Sequence, residues 1–353
     1  MAPLVPRVAL ASGYTIPRLI KGGWQLAGGH GEIDRAATLD DMNAFVAAGV
    51  TSFDCADIYT GVEALIGDFV RARGGPDGLQ LHTKYVPDLA ALGSLTAKDV
   101  AAAIDRSRAR LGVDVVDLVQ FHWWDYERPG MLETAAWLHA RQRAGAIRHL
   151  ALTNCNTMAT QAIVDAGVPV VAHQVQYSLL DQRPAGPMTR LAAVNGIGLL
   201  CYGALAGGFL SERFLGKPAP VALANRSLVK YRLVIDEFGG WERFQRLLAV
   251  LADVATRHGV SMGTVAVAWV LAQPQVAGVI VGARNAAHLS DTILAASLTL
   301  DGDDLAALGA VLAEGEGVTG DVYDLEREKG GQHAAIMRYD LNAQAGPGPG
   351  LRS

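Results

Sequence analysis

Short apolar runs alternate with longer helix-like segments rich in Ala and Leu, from about residue 18 to residue 300. The apolar runs at 18–26, 50–55, 79–85, 115–122, 147–153, 170–177, 198–203 and 276–282 read as strands. Helix-like stretches lie between them, for example at 34–48, 97–111, 133–144 and 157–166. Several strands are continuous apolar runs, such as Val115-Val116 followed by Leu118-Val119. That pattern suits parallel strands covered on both faces. Eight strand-helix units over this length predict an α/β protein, a (β/α)8 TIM barrel rather than an open doubly wound sheet.

The glycines support that choice. An open dinucleotide-binding sheet needs G-x-G-x-x-G directly after its first strand. Here Gly22-Gly23, the cluster at 28–31 and the group at 203–208 all miss the spacing. Before the first strand, apolar runs flank Ser12-Gly13, a hairpin signal, and such a hairpin can plug the bottom of a barrel. The expected organisation is therefore a barrel over 1–314 including this hairpin, a polar C-terminal extension over 315–343 near the mouth, and a disordered Gly/Pro-rich tail over 344–353.

Composition narrows the class. Of 353 residues, 50% are hydrophobic and 18% charged, enough apolar surface for a sizeable core. The net charge of −5, from 35 acids and 30 bases, argues against a nucleic-acid partner. No run of 18 apolar residues suggests a membrane span, and MAPLVPRVALASG lacks the apolar core of a signal peptide. Three scattered cysteines make no disulfide framework, so the expected location is the cytoplasm.

In such a barrel, chemistry sits at the C-terminal strand ends. The second strand ends on Asp54, the third on Lys84 and the fourth on His122, with Tyr59 on the loop after the second. Singly, these read as a helix cap, a snorkelling lysine and a core histidine. Together they form a proton-transfer set. A phenol, with a pKa of about 10, is too weak an acid near neutrality. An ammonium beside it favours the phenolate, and a carboxylate keeps that ammonium charged. His122 is positioned to donate a hydrogen bond to a substrate carbonyl. The set contains no nucleophile, and no H-x-H on the first strand marks a metal-dependent hydrolase, so no metal is expected. It suits a reaction whose hydride comes from elsewhere.

The motifs FDCADIY, HTKY and LVQFHW resemble the aldo-keto reductase superfamily, with Cys55 in place of that family's threonine. Glu63 and Gly67 in YTGVEALIG fit its continuation. The resemblance implies the tetrad Asp54, Tyr59, Lys84 and His122, and NADPH-dependent reduction of a small carbonyl substrate (aldehyde, ketone or sugar) or the reverse oxidation. NADP is preferred and NAD possible. The nicotinamide carboxamide falls to Thr153 and Asn154 of LTNCN and to Gln174, with Tyr202 stacking on the ring. Gly23, Trp24, Gly203 and Leu205 complete this part of the cofactor site. The segment VGARNAAHLSDT resembles the loop that wraps the adenosine, giving Gly282, Arg284, Asp291 and Thr292. His288 stands where the family often carries arginine, which leaves Arg284 as the 2′-phosphate clamp. Trp24, Tyr59 and Trp123 are the expected substrate-pocket walls, while Trp124 and Asp125 depart from the family's proline. A second reading is a cofactor-binding regulatory subunit resembling the potassium-channel β proteins. The oligomeric state is left open by the sequence.

Overall fold

A computed structural model describes residues 5–27 and 33–344. A hairpin of β1 (Arg7–Ala11) and β2 (Tyr14–Pro17) comes first, followed by β3 (Leu19–Gly22), α1 (Arg35–Ala47), β4 (Ser52–Asp54) and α2 (Val62–Ala72). Next come β5 (Gln80–Tyr85), α3 (Ala97–Leu111), β6 (Val116–Phe121), α4 (Met131–Arg143), β7 (Ile147–Thr153) and α5 (Thr157–Asp165). Then follow β8 (Val170–Gln176), α6 (Pro187–Asn195), β9 (Gly198–Tyr202), α7 (Arg226–Phe238), α8 (Gly240–His258), α9 (Met262–Leu271) and β10 (Val276–Gly282). The chain continues through α10 (Leu289–Ala295), α11 (Gly302–Leu312), α12 (Asp324–Arg327), α13 (Gln332–Ala335) and α14 (Leu341–Gln344).

Eight parallel strands close a barrel in the order β10-β3-β4-β5-β6-β7-β8-β9. Two strands, β7 and β10, keep the bounds read from sequence. The run 18–26 was read too long, because the chain leaves the sheet after Gly22 and Trp24–Leu26 form a 3₁₀ turn. Among the described residues no helix is long and apolar enough to cross a membrane. The tail expected to be disordered falls, from residue 345, outside the described residues.

Side chains alternate along a strand with a period of two, and that period builds the site. Ile20, Leu118, Ala151, Ala172, Leu200 and Ile280 form an apolar cluster with Leu10, Tyr14 and Ile16 of the hairpin. The hairpin thus seals one end of the barrel, where the Tyr14 hydroxyl meets His82 Nε2 at 2.8 Å. Two residues further along the same strands come Gln120, Thr153, Gln174, Tyr202 and Gly282, a mostly polar layer above the apolar one. One glycine fixes the outer ring here. A Cβ on Gly67 would lie 2.0 Å from the Arg110 carbonyl oxygen, so α2 and α3 approach this closely only with glycine at that position.

The C-terminal extension crosses the open end. Arg327 donates to the carbonyls of Trp123 (2.6 Å) and Trp124 (3.1 Å), and Asn342 Nδ2 donates to the Val86 carbonyl at 2.9 Å. It is held on the loops that follow β5 and β6.

Candidate active site

Asp54 closes β4 and Lys84 lies one residue before the end of β5, both buried. Lys84 Nζ donates to Asp54 Oδ2 at 2.6 Å and to the Cys55 carbonyl at 2.8 Å. Asp54 Oδ1 accepts from Gln120 Nε2 at 2.6 Å and from Gln174 Nε2 at 2.8 Å. Burial opposes the ammonium, but Asp54 and Tyr59 outweigh it and push Lys84 up to about 12. Lys84 is therefore a fixed cation.

Tyr59 stands above it on the loop after β4, with Lys84 Nζ 5.0 Å from the ring centre. That loop runs straight into α2, where Glu63 Oε1 accepts from Thr83 Oγ1 at 2.6 Å and Oε2 accepts from Arg110 Nη1 at 3.1 Å. A buried carboxylate thus pins the segment that carries the phenol. The expected depression of the Tyr59 pKa does not occur. Burial raises it, against the opposing pull of Lys84. The phenol is held protonated, the form that can give a proton.

His122 directly follows β6. Its Nδ1 lies 3.0 Å from the Thr153 carbonyl, and since a carbonyl only accepts, that nitrogen carries the hydrogen. Burial, reinforced by Arg327, lowers this histidine to about 3, so it is neutral. Its Nε2 is then a lone pair, buried without a partner. The sequence reading made His122 a hydrogen-bond donor to a carbonyl; in this tautomer it is an acceptor for a hydroxyl.

These groups line one cavity of about 950 Å³. Thr153, Asn154, Gln174, Tyr202, Gly203 and Leu205 line it too, as do Gly282, Arg284, Asp291 and Thr292 toward the other end. Thr153 Oγ1 is buried and unpartnered, whereas Tyr202 donates its hydroxyl to Asn154 Oδ1 at 2.9 Å. Gly203 turns the chain out of β9 with φ +78, and a Cβ there would lie 2.3 Å from the Tyr231 hydroxyl.

Two expected residues are placed differently. Gly23 is set back from the cavity, where a Cβ would meet Val62 and the Asp54 carbonyl. Trp123 is fully buried outside the pocket, its Nε1 donating to the Asp125 carbonyl at 3.0 Å. Trp124 takes the wall position instead, its ring 4.2 Å from that of His122 and its Nε1 donating to the Pro87 carbonyl at 2.9 Å. Trp24 lines the cavity as expected, its ring 5.1 Å from Tyr59.

The sequence reading passed over Gln120, Arg226 and Lys230. Gln120 had a signal in the strand period, which places it on the face of Leu118 and His122. Arg226 and Lys230 had another, a spacing of four on α7, hence one helix face. From the extension come Tyr323, Ile336, Met337, Arg338 and Leu341. The Tyr323 ring stands edge-on to His122 at 5.9 Å.

A model of the Aldo/keto reductase family matches residues 18–313. The L-glyceraldehyde 3-phosphate reductase of Escherichia coli O157:H7 is 28% identical, over 86% of this chain and 91% of its own length. Flagellar radial spoke protein 5 of Chlamydomonas reinhardtii is 32% identical over 61% of this chain, which spans about half (48%) of that relative's length. The glycerol dehydrogenase structure from Gluconobacter oxydans superposes with a TM-score of 0.73 at 21% identity, covering 87% of this chain and 95% of that one; it bears on the fold alone. The barrel, the strand-end set and the family match agree, and the chain belongs to the aldo/keto reductase family, oxidoreductases that act on carbonyl and alcohol groups.

Proposed function

We propose that the chain is an NADPH-dependent reductase of aldehydes, ketones or sugar carbonyls, reversible to alcohol oxidation, with Tyr59 as general acid and base. The observation that carries this reading is the Tyr59 ring 5.0 Å from Lys84 Nζ of the buried Asp54–Lys84 pair, beside a cavity lined by His122 and Thr153, whose Nε2 and Oγ1 are buried without partners.

The residues present fit a nicotinamide cofactor. Thr153, whose hydroxyl is buried without a partner, lines a cavity large enough for a dinucleotide, beside Asn154 and Gln174, the groups expected to hold a carboxamide. At the other end Arg284 is exposed and has no ion-pair partner among the described residues, which suits a phosphate clamp. When bound, the reduced cofactor would supply the hydride.

The chain's own groups do the rest. Tyr59 gives its proton to the carbonyl oxygen as negative charge develops there, and Lys84 stabilises the phenolate left behind. Asp54 keeps Lys84 charged and in place. His122 Nε2 accepts from a hydroxyl, the alcohol product's or one beside the carbonyl, and so orients it. Trp24, Trp124 and Tyr323 wall the substrate from water. The three cysteines are free and buried, as befits a reducing compartment such as the cytoplasm.

The test is loss of NADPH absorbance with a panel of aldehydes, ketones and aldoses, run in parallel with NADH. Protein that binds the cofactor but turns over no carbonyl, and oxidises no alcohol with NADP⁺, would sink the reading.

A further inference from the structure

Strand β3 breaks the apolar rule of a barrel strand. Both faces of a parallel strand are covered, so both should be apolar. Leu19 packs into the main core and Ile20 into the cluster under the hairpin, yet Lys21, on the face of Leu19, is charged and only 2% exposed. Its surroundings do little to compensate it. Nζ donates to the Ala283 carbonyl at 3.0 Å and stands 4.9 Å from the centre of the Phe45 ring. That is its one hydrogen bond, and it makes no ion pair, among the described residues. Its cross-strand neighbours, Phe53 and Val281, are apolar. Asp41, one turn before Phe45 on α1, is the carboxylate whose charge it feels, but Asp41 Oδ1 is engaged with the Ala286 amide at 2.9 Å. Burial outweighs Asp41 and brings the Lys21 ammonium down to about 8.

The segment held in this way is the one that follows β10. Lys21 grips Ala283 and Asp41 grips Ala286; between the two grips stand Arg284 and Asn285, both exposed and both lining the cavity. The backbone is thus anchored from β3 and α1, while the Arg284 guanidinium stays free. An apolar residue at position 21 would avoid the cost of a buried charge. The other charges of α1 do not offset it, because Arg35 pairs with Asp68 and Asp40 is exposed. The loop and the start of α10 add Arg284, His288 and Asp291, all exposed. Lys21 behind the loop and Arg284 on it therefore face the carboxylate of Asp41 with positive charge to spare.

Resting on the NADPH reading above, we propose that Lys21 is a positioning residue for the cofactor's 2′-phosphate: from behind the loop it fixes the backbone that carries Arg284, and its spare charge is balanced by the phosphate.

The experiment is fluorescence titration of NADPH and NADH into native protein and into Lys21→Met, which removes the charge at similar length. The native preference for NADPH should fall by roughly tenfold, as for one hydrogen bond to a charged group, with NADH affinity unchanged. An unchanged preference, or equal losses for the two cofactors, overturns the proposal and makes Lys21 a prop of the barrel. A native protein that holds NADH as tightly as NADPH fails the cofactor reading itself, and the inference falls with it. Calorimetry on the native protein gives a second readout, one that a prop would not move and that needs no variant. At pH 8 about half of the Lys21 side chains are uncharged in the free protein. A phosphate that restores the charge makes NADP⁺ take up as much as about half a proton more than NAD⁺. Titrations in two buffers of different ionisation enthalpy measure the difference. No extra uptake with NADP⁺, or the same extra uptake in Lys21→Met, overturns the role of Lys21.

Discussion

Asp54 holds Lys84 through one carboxylate oxygen at 2.6 Å and gives the other to the amides of Gln120 and Gln174. Four strands thereby converge on one carboxylate. The ion pair is buried, so its value lies in geometry more than in stability. It fixes a cation under the phenol, and the amides keep the carboxylate from turning away.

Tyr59→Phe removes one hydroxyl from a cavity wall and nothing that holds the barrel. The fold and cofactor binding should survive. Loss of a positioned general acid should lower kcat on a good aldehyde by about 10²–10⁴-fold. A purified variant with near-native turnover would place the proton donor elsewhere.

Arg284→Ala bears on cofactor choice. With no hydrogen-bond or ion-pair partner among the described residues to lose, the change should leave the thermal midpoint unmoved. If this guanidinium meets the 2′-phosphate, a loss of roughly 1.5–3 kcal/mol weakens NADPH by about one to two decades and leaves NADH nearly untouched. Fluorescence titration separates the two; equal losses would make Arg284 a support of the loop.

The cluster of Asp54, Lys84 and His122 was legible because each is a distinctive residue at or next to a strand end, and strand ends follow from apolar runs; Tyr59 was read on the loop that follows the strand of Asp54. The tryptophan wall was misread for a reason visible in the same period. With Gln120 and His122 facing inward, Trp123 falls on the outer face and Trp124 returns to the cavity. The phenol's pKa was misjudged because the charge of Lys84 was weighed without burial. The ties of the extension were not readable at all. Arg183 and Glu326 meet at 3.0 Å across 143 positions of sequence, and nothing local in either segment announces the other.

Acid should destabilise this protein early. Burial lowers His82 to about 4, and His122 and His173 to about 3 each. In the unfolded chain each titrates near 6.5. Their folded values are depressed, so the unfolded chain binds more protons between these limits. The stability they permit is intact above about pH 6.5 and falls as the pH drops toward the folded values. Near pH 5 the three rings together contribute a slope of roughly 4 kcal/mol per pH unit, which the Asp57 carboxyl opposes, because burial raises it and it gives up a proton on unfolding. Urea unfolding at pH 7, 6 and 5 measures it, and a flat profile would contradict the burial of these rings. For His122 alone, ¹⁵N NMR should show an Nδ1–H tautomer unchanged from pH 8 to pH 5; titration near 6.5 would return it to the donor role.

Glu326 ties the extension to the barrel. It accepts from Arg183 at 3.0 Å and lies 3.3 Å from Lys230 Nζ, while Arg183 also pairs with Asp181 at 2.7 Å. Burial works against this carboxylate, but Lys230 and Arg183 hold it down at about 2. Glu326→Gln keeps the shape and removes the charge. Arg183 retains Asp181, but Lys230 loses the only carboxylate paired with it among the described residues. Breaking a buried pair from one side costs roughly 3–5 kcal/mol, and the thermal midpoint should fall accordingly. Removing both charges in Glu326→Gln/Lys230→Met leaves no isolated ion, so the double variant should recover much of that loss. Because Tyr323 and Arg327 sit on the same short segment, the single variant should also loosen the wall beside His122 and raise KM for bulky carbonyls more than for small ones. Strictly additive stability effects would mean that Lys230 finds its counter-charge in water, and an equal rise in KM for small and bulky carbonyls would separate the extension from the substrate wall.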